Sequence, residues 1–182
     1  MSPSQLKNAG YLTGMTGKWG LGEPGTSGLP NKQGFDEWFG YLNQRRAHNY
    51  YTEYLWKNEE KVELPGNQNG GESQYSHDLM TEFALDFIQK YRDTTFFLYL
   101  PYTIPHDEYE VPDYSQYKDQ PWEEREKIFA AMVSRLDGDI GKIIELLSRT
   151  CFKSPLKWGL FIWACAPLFA PFRPPFIELR KG

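Results

Sequence analysis

Clear hydrophobic periods begin only after Tyr75. In "SHDLMTEFALDFIQKYRD" (76–93) Leu79, Phe83, Phe87 and Tyr91 fall at helical spacing, and Ser76 stands where an N-cap is expected. "TTFFLYL" (94–100) is a continuous apolar run of the kind that forms a buried parallel strand. A second long helix is predicted from about Pro121 to Leu147. Pro121 falls near its first turn, and Ile128, Met132, Leu136, Ile140 and Ile144 line one face. Nearer the N-terminus, "QLKNAG" reads as the last turn of a helix with Gly10 in the C′ position. "YLTGMTGKWG" then reads as a short strand running into a glycine-rich turn. Residues 21–34, rich in Gly and Pro, are expected to be loop. The aromatic stretch 34–58 fits neither period, and the polar residues 57–74 are expected to form a surface loop. Helix, strand and helix joined by long loops point to an α/β fold. Residues 1–147 read as one unit, while 148–182, punctuated by proline and without a period, read as an atypical tail.

Composition narrows the function classes. A chain of 182 residues, 40% of them apolar, is long enough to bury a core. The net charge of −4 argues against a nucleic-acid partner, which requires a basic face. The apolar run "WGLFIWACAPLFAPF" is broken by prolines and shorter than the roughly 18 residues of a membrane span, so no membrane partner is expected. "MSPSQLKNAG" does not have the layout of a secretory leader. Cys151 and Cys165 make no disulfide framework and no zinc-site spacing. Aromatic residues reach 16%, and Tyr and Trp suit both a core and the flat faces of sugars or aryl groups.

Three places could carry chemistry. Lys18, between a strand and a glycine turn, can act as an anion clamp or as an ordinary surface lysine. His106 follows the buried strand in a proline-flanked loop; that is the carboxyl end, where ligands bind in open α/β sheets. His48 lies in "QRRAHNYY" beside Gln44, Arg45, Arg46 and Asn49, donors that suit a sulfate or sugar hydroxyls. His77, at a helix start beside Asp78, reads as structural, and Asp137 and Asp139 have no evident partner. Asp107 and Glu108 lack metal-ligand spacing, and neither a nucleophile elbow nor a phosphate-binding loop motif occurs.

Taken in order, these segments resemble the sulfatase family. "GYLTGMTGKWGLG" is similar to its second signature, G-Y-x-T-x-x-x-G-K-W-H-L-G. "GFDEWFGYLNQRRAHNYY", "FFLYLPYTIPHDEYEVP" and "AMVSRLDGDIGKIIELL" match the segments downstream of that signature in arylsulfatase-like members. The likeness spans about residues 5–147. It implies an alkaline-phosphatase-like α/β sandwich, with a central mostly parallel sheet flanked by helices and truncated here at both ends. It also implies hydrolysis of a carbohydrate or aryl sulfate ester by a calcium-dependent formylglycine nucleophile. Under that resemblance Lys18 and His106 contact the sulfate, with Gln44, Arg45 and His48 as further substrate-binding candidates. Gly20 stands where the signature has histidine, and His48 is the candidate replacement. The formylglycine motif C-x-P-x-R is matched by neither "CFKSP" nor "CAPLF". The calcium aspartates would lie upstream of Met1, and the tail replaces the family's S-D-N-G strand end. The expected partner is a sulfated small molecule or glycan, and the expected state of this chain is an inactive fragment of a sulfatase. The alternatives are a non-catalytic sulfated-sugar-binding module or a related phosphoryl-transfer hydrolase. Family members are commonly exported.

Overall fold

In the computed structural model, residues 2–151 are described. They form three helices and five strands: α1 (Pro3–Asn8), β1 (Leu12–Lys18), β2 (Glu37–Tyr41), β3 (Tyr54–Lys57), β4 (Glu60–Glu63), α2 (Ser76–Lys90), β5 (Phe96–Tyr99) and α3 (Glu124–Cys151). α1 ends as the sequence predicts. Gly10 sits at φ +87, and the amides of Gly10 and Tyr11 return to the carbonyls of Lys7 and Leu6, closing a Schellman motif.

The strands make one sheet in the order β4-β3-β2-β1-β5. β1 pairs in parallel with β2, from Gly14↔Glu37 to Lys18↔Tyr41, and in parallel with β5, from Leu12↔Phe96 to Met15↔Tyr99. β3 and β4 add an antiparallel hairpin at one edge. The chain leaves β1 towards β2 on one side and later returns to β5 on the other. The carboxyl end of β1 is therefore a topological switch point, and Lys18 is its last residue.

Side-chain alternation along the strands builds two cores. On one face Phe39 and Tyr41 meet Met80, Ala84 and Ile88 of α2, with Met132, Leu136, Ile143 and Leu147 of α3 behind them. On the other face Met15, Leu29, Phe35, Trp38 and Leu42 pack together, with Phe97 and Tyr99 against them. Met15 and Trp38 are wholly buried, each worth about 2–3 kcal/mol by transfer. Residues 19–36 supply Leu29 and Phe35 to this second core, so an irregular crossover lies where a helix would be expected between two parallel strands.

Several predicted details are corrected. Residues 34–58 contain β2 and β3, and the supposed loop 57–74 contains β4 and a buried Asn67. Asn67 donates to the carbonyls of Thr52 and Gln74 and accepts from the amides of Ser73 and Gln74, which ties that segment down. Ser76 is the first residue of α2 and not its cap, which is Tyr75; the Ser76 amide, left without a partner inside the helix, donates to the Tyr50 carbonyl at 2.8 Å. The buried face of α2 is Ser76, His77, Met80, Thr81, Ala84, Phe87 and Ile88, with Leu79 and Phe83 only partly covered. α3 begins at Glu124, past Pro121, and continues through 148–151, residues expected in the tail. Its buried line drifts to Met132, Leu136, Asp139, Ile143 and Leu147, leaving Ile144 exposed. The rest of the tail, including Cys165, lies outside the described residues. No helix among them is long and apolar enough to cross a membrane.

Candidate functional site

Two glycines draw the parallel strands together where Lys18 emerges. Gly17 has φ +139, and a Cβ there would lie 2.2 Å from the carbonyl oxygen of Pro101. Gly40 has φ +144, and a Cβ there would lie 2.0 Å from the Gly17 oxygen. With neither side chain present, the Lys18 amide donates to Pro101 O at 2.9 Å. The pairing with the β2 side continues past the strand ends, through Trp19 N to Tyr41 O and Gly20 N to Leu42 O, both 2.9 Å. Trp19 is locked in turn by an indole N–H bond to Gly28 O (2.7 Å) and edge contact with Phe35. Lys18 thus stands on a rigid backbone, and among the described residues it forms no ion pair.

The departure at position 20 has a steric counterpart. Gly20 has φ +75, and a Cβ there would come within 2.6 Å of both Cγ and Nε2 of Gln44. Gln44 fills the space a side chain at position 20 would need, so the two positions are coupled. Gln44 therefore packs against the backbone two residues beyond Lys18.

The turn after β2 is organised by Asn43, whose Oδ1 accepts from the amides of Arg45 (2.9 Å) and Arg46 (3.1 Å). A 3₁₀ turn over Arg46–His48 follows, anchored by buried Ala47 and by the Tyr41 hydroxyl donating to Asn49 O at 2.7 Å. Next comes Tyr50, wholly buried. Its hydroxyl lies 3.2 Å from the carbonyl of His106 and 3.4 Å from that of Thr103, and its amide donates to Glu110 Oε2 at 3.1 Å. Burial pushes the Tyr50 phenol well above its ordinary range, which keeps it protonated as a donor. Burial also raises the Glu110 carboxyl, partly offset by the Tyr50 amide. Tyr50 thereby fastens the loop after β2 to the loop after β5.

The consequence is that His48 and His106, far apart in sequence, meet edge-to-face with ring centroids 4.7 Å apart and an interplanar angle of 89°. His106 Nδ1 is 3.4 Å from Asp107 O, and Asp107 pairs with Arg125 at 3.2 Å. Arg45 is exposed on the same side of the sheet, lining the cleft that Gln44 and Gly20 also border. Lys18, Gln44, Arg45, His48 and His106 all lie at or after the carboxyl ends of β1, β2 and β5. The Tyr50 staple is invisible in "HNYY" alone, where either tyrosine could have been the buried one. Among the described residues no three His, Cys, Asp or Glu side chains gather as a metal site requires.

A family model described as Sulfatase matches residues 3–152. The chain belongs to the sulfatase family. It is 34% identical over 155 residues to human N-acetylgalactosamine-6-sulfatase, covering 80% of this chain and 28% of that protein. It is 30% identical over 164 residues to mouse arylsulfatase J, covering 82% and 26%. Among solved structures it is similar to Ps i-CgsB in complex with k-i-k-neocarrahexaose, at TM-score 0.70 and 28% identity, covering 82% of this chain and 36% of that one. The sulfatase PsFucS1 from Pseudoalteromonas sp., at TM-score 0.59 and 18% identity, shares the fold. The chain spans between a quarter and a third of the length of these two curated relatives. The mixed sheet with its helices is the sulfatase α/β fold in part, as the sequence implied.

Proposed function

We propose that the carboxyl edge of β1, β2 and β5 binds the sulfate group of a carbohydrate or aryl sulfate ester, and that the whole protein hydrolyses that ester. The observation that supports this most is the His48–His106 contact, made between two loops that leave the same carboxyl edge of the sheet as Lys18. Lys18 supplies a compact charge with three N–H donors to the sulfate oxygens. His106 keeps one ring nitrogen towards the Asp107 carbonyl and has the other to donate to a sulfate oxygen. His48 takes the part of the signature histidine, whose place is closed by Gln44 against Gly20. Gln44 and Arg45 hold the organic part of the ester from the cleft side.

Bond cleavage in this family draws on a formylglycine hydrate as nucleophile and a calcium ion that polarises the sulfate. The described residues do not fit that ion, since no carboxylate cluster among them faces Lys18 or His106. What these residues do is neutralise and orient the anion, a part of transition-state stabilisation that works without the nucleophile. The chain alone is accordingly expected to bind sulfate esters and to turn them over feebly or not at all.

Calorimetric titration with sodium sulfate and with N-acetylgalactosamine 6-sulfate tests this, alongside release of 4-methylumbelliferone from its sulfate. Binding should weaken by about tenfold in each of K18A, H106A and H48A, as expected for loss of one charge-assisted hydrogen bond. Inorganic phosphate binding more tightly than sulfate would move the reading to phosphoryl transfer. Equal heats for wild type and K18A would end it.

A further inference from the structure

Beyond the sulfate contacts, a cleft of about 390 Å³ opens between the turn after β2 and the face of β3, lined by Glu23, Asn43, Arg45, Arg46, Tyr54 and Trp56 among others. A second cleft of about 370 Å³ shares Glu23, Leu42, Asn43 and Arg45 with it and continues to Gln44 and Gly20. The two make one groove running from the turn behind Lys18 to the aromatic pair on β3, each half at the scale of a small-molecule site.

The chemistry of the far half is specific. The Arg46 guanidinium is held 4.0 Å over the Tyr54 ring and 3.4 Å from Thr52 Oγ1, so its orientation is fixed before any ligand arrives. Lys61 lies 4.0 Å from the centroid of the same ring. Among the described residues neither Arg45 nor Arg46 has a carboxylate partner, and Glu23 is the one acidic side chain in the lining. Trp56 meets Tyr54 edge-on at 6.3 Å and is only half-buried, leaving apolar ring surface at the groove. A pre-oriented guanidinium without an ion pair, next to a part-exposed indole, suits a sugar ring that carries an anionic substituent.

We propose that this groove is a second subsite, resting on the sulfate-ester reading above, in which Arg46 and Trp56 hold a neighbouring residue of an anionic oligosaccharide. The preferred ligand is then a sulfated oligosaccharide with more than one charged unit, not a sulfated monosaccharide. The part-exposed Trp56 ring in the lining favours a glycan over an acidic peptide, because a sugar ring offers a flat apolar face to stack on it beside its charged substituent.

The test compares N-acetylgalactosamine 6-sulfate with a chondroitin 6-sulfate tetrasaccharide by calorimetry on the full chain, with a polyglutamate peptide as competitor. The tetrasaccharide is expected to bind at least tenfold more tightly than the monosaccharide. R46Q and W56A should each remove most of that factor, whereas K18A should weaken both ligands. Since R46Q and W56A could act by damaging the fold, E23K serves as the opposite probe: added positive charge on an exposed position should tighten the tetrasaccharide by about threefold. Equal affinity for the two sugars overturns the second subsite and leaves the sulfate reading standing. A tetrasaccharide that binds through Arg46 while the monosaccharide binds nowhere keeps the subsite and removes the sulfate reading. Polyglutamate that binds as tightly as the tetrasaccharide with the same dependence on Arg46 makes the groove a peptide site and overturns the proposal.

Discussion

His77 and Asp139, distant in sequence, touch in the core between α2 and α3. His77 is wholly buried and its Nε2 lies 3.1 Å from Asp139 Oδ2, while Lys142 Nζ is 2.6 Å from Oδ1 and Thr81 Oγ1 donates to Oδ2 at 3.3 Å. Burial works to raise the Asp139 carboxyl, but the His77 and Lys142 contacts outweigh it and hold the group down to about 2. With the folded value below the ordinary carboxylate value, the unfolded chain takes up the proton more readily. The stability Asp139 contributes is therefore complete above about pH 4 and is lost as pH falls towards 2. Lys142 is largely exposed and its share is screened, so D139N should cost on the order of 1–2 kcal/mol at pH 7. Urea melts of wild type and D139N should converge between pH 4 and pH 2, and a gap that stays constant with pH would show that the loss is packing alone. The sequence marks His77 as structural but gives Asp139 no partner, because the pairing depends on how two helices cross. Lys18 is the opposite case: its signature is contiguous, so its place at the strand end could be read directly.

At the level of elements, legibility tracked the strength of the local pattern. α2, β5 and α3 have long periods or continuous apolar runs, and each appears with boundaries shifted by only a few residues. The β3–β4 hairpin was missed because Leu55 is the one buried residue of β3 and β4 buries none, leaving no alternation to find. Its register depends instead on Asn58, at φ +55, whose Oδ1 accepts from the Trp38 amide (3.0 Å) and Asn31 Nδ2 (3.2 Å). N58A removes both bonds and puts a Cβ-bearing residue without local compensation in the left-handed region, so a loss of about 2 kcal/mol is expected. N58G relieves the backbone and should lose less; equal losses in chemical denaturation would refute the strain component. Tyr50 acts between elements in the same way. Y50F deletes the hydroxyl that meets the His106 and Thr103 carbonyls and should cost about 1–2 kcal/mol. Because that contact fastens the two histidine loops, Y50F should also weaken sulfate binding by several-fold, although Tyr50 touches no ligand. Unchanged sulfate affinity in a folded Y50F would mean that the loops hold their places without it.

For the molecule as a whole, the charge is net negative, yet Lys18, Arg45 and Arg46 lie at the carboxyl edge of the sheet without carboxylate partners among the described residues. A local cationic edge on an acidic body is what selective anion capture requires, since the overall field discourages non-specific polyanion binding. A ligand that binds only the folded chain stabilises it by RT ln(1 + [L]/Kd), about 1.4 kcal/mol at ten times Kd. For a chain of this size that corresponds to a rise in Tm of about 3–6 °C. Sulfate also stabilises proteins generally by exclusion from their surfaces, so the effect must be separated from that background. Thermal melts in sodium sulfate should be set against sodium chloride at matched ionic strength, with K18A and the K18A/H106A pair measured in parallel. The general effect is the same for all three proteins, whereas the site-specific part should saturate with sulfate concentration, shrink in K18A and vanish in the double variant. A rise that is linear in sulfate and identical in all three would assign the stabilisation to the solvent and leave the cationic edge without a ligand.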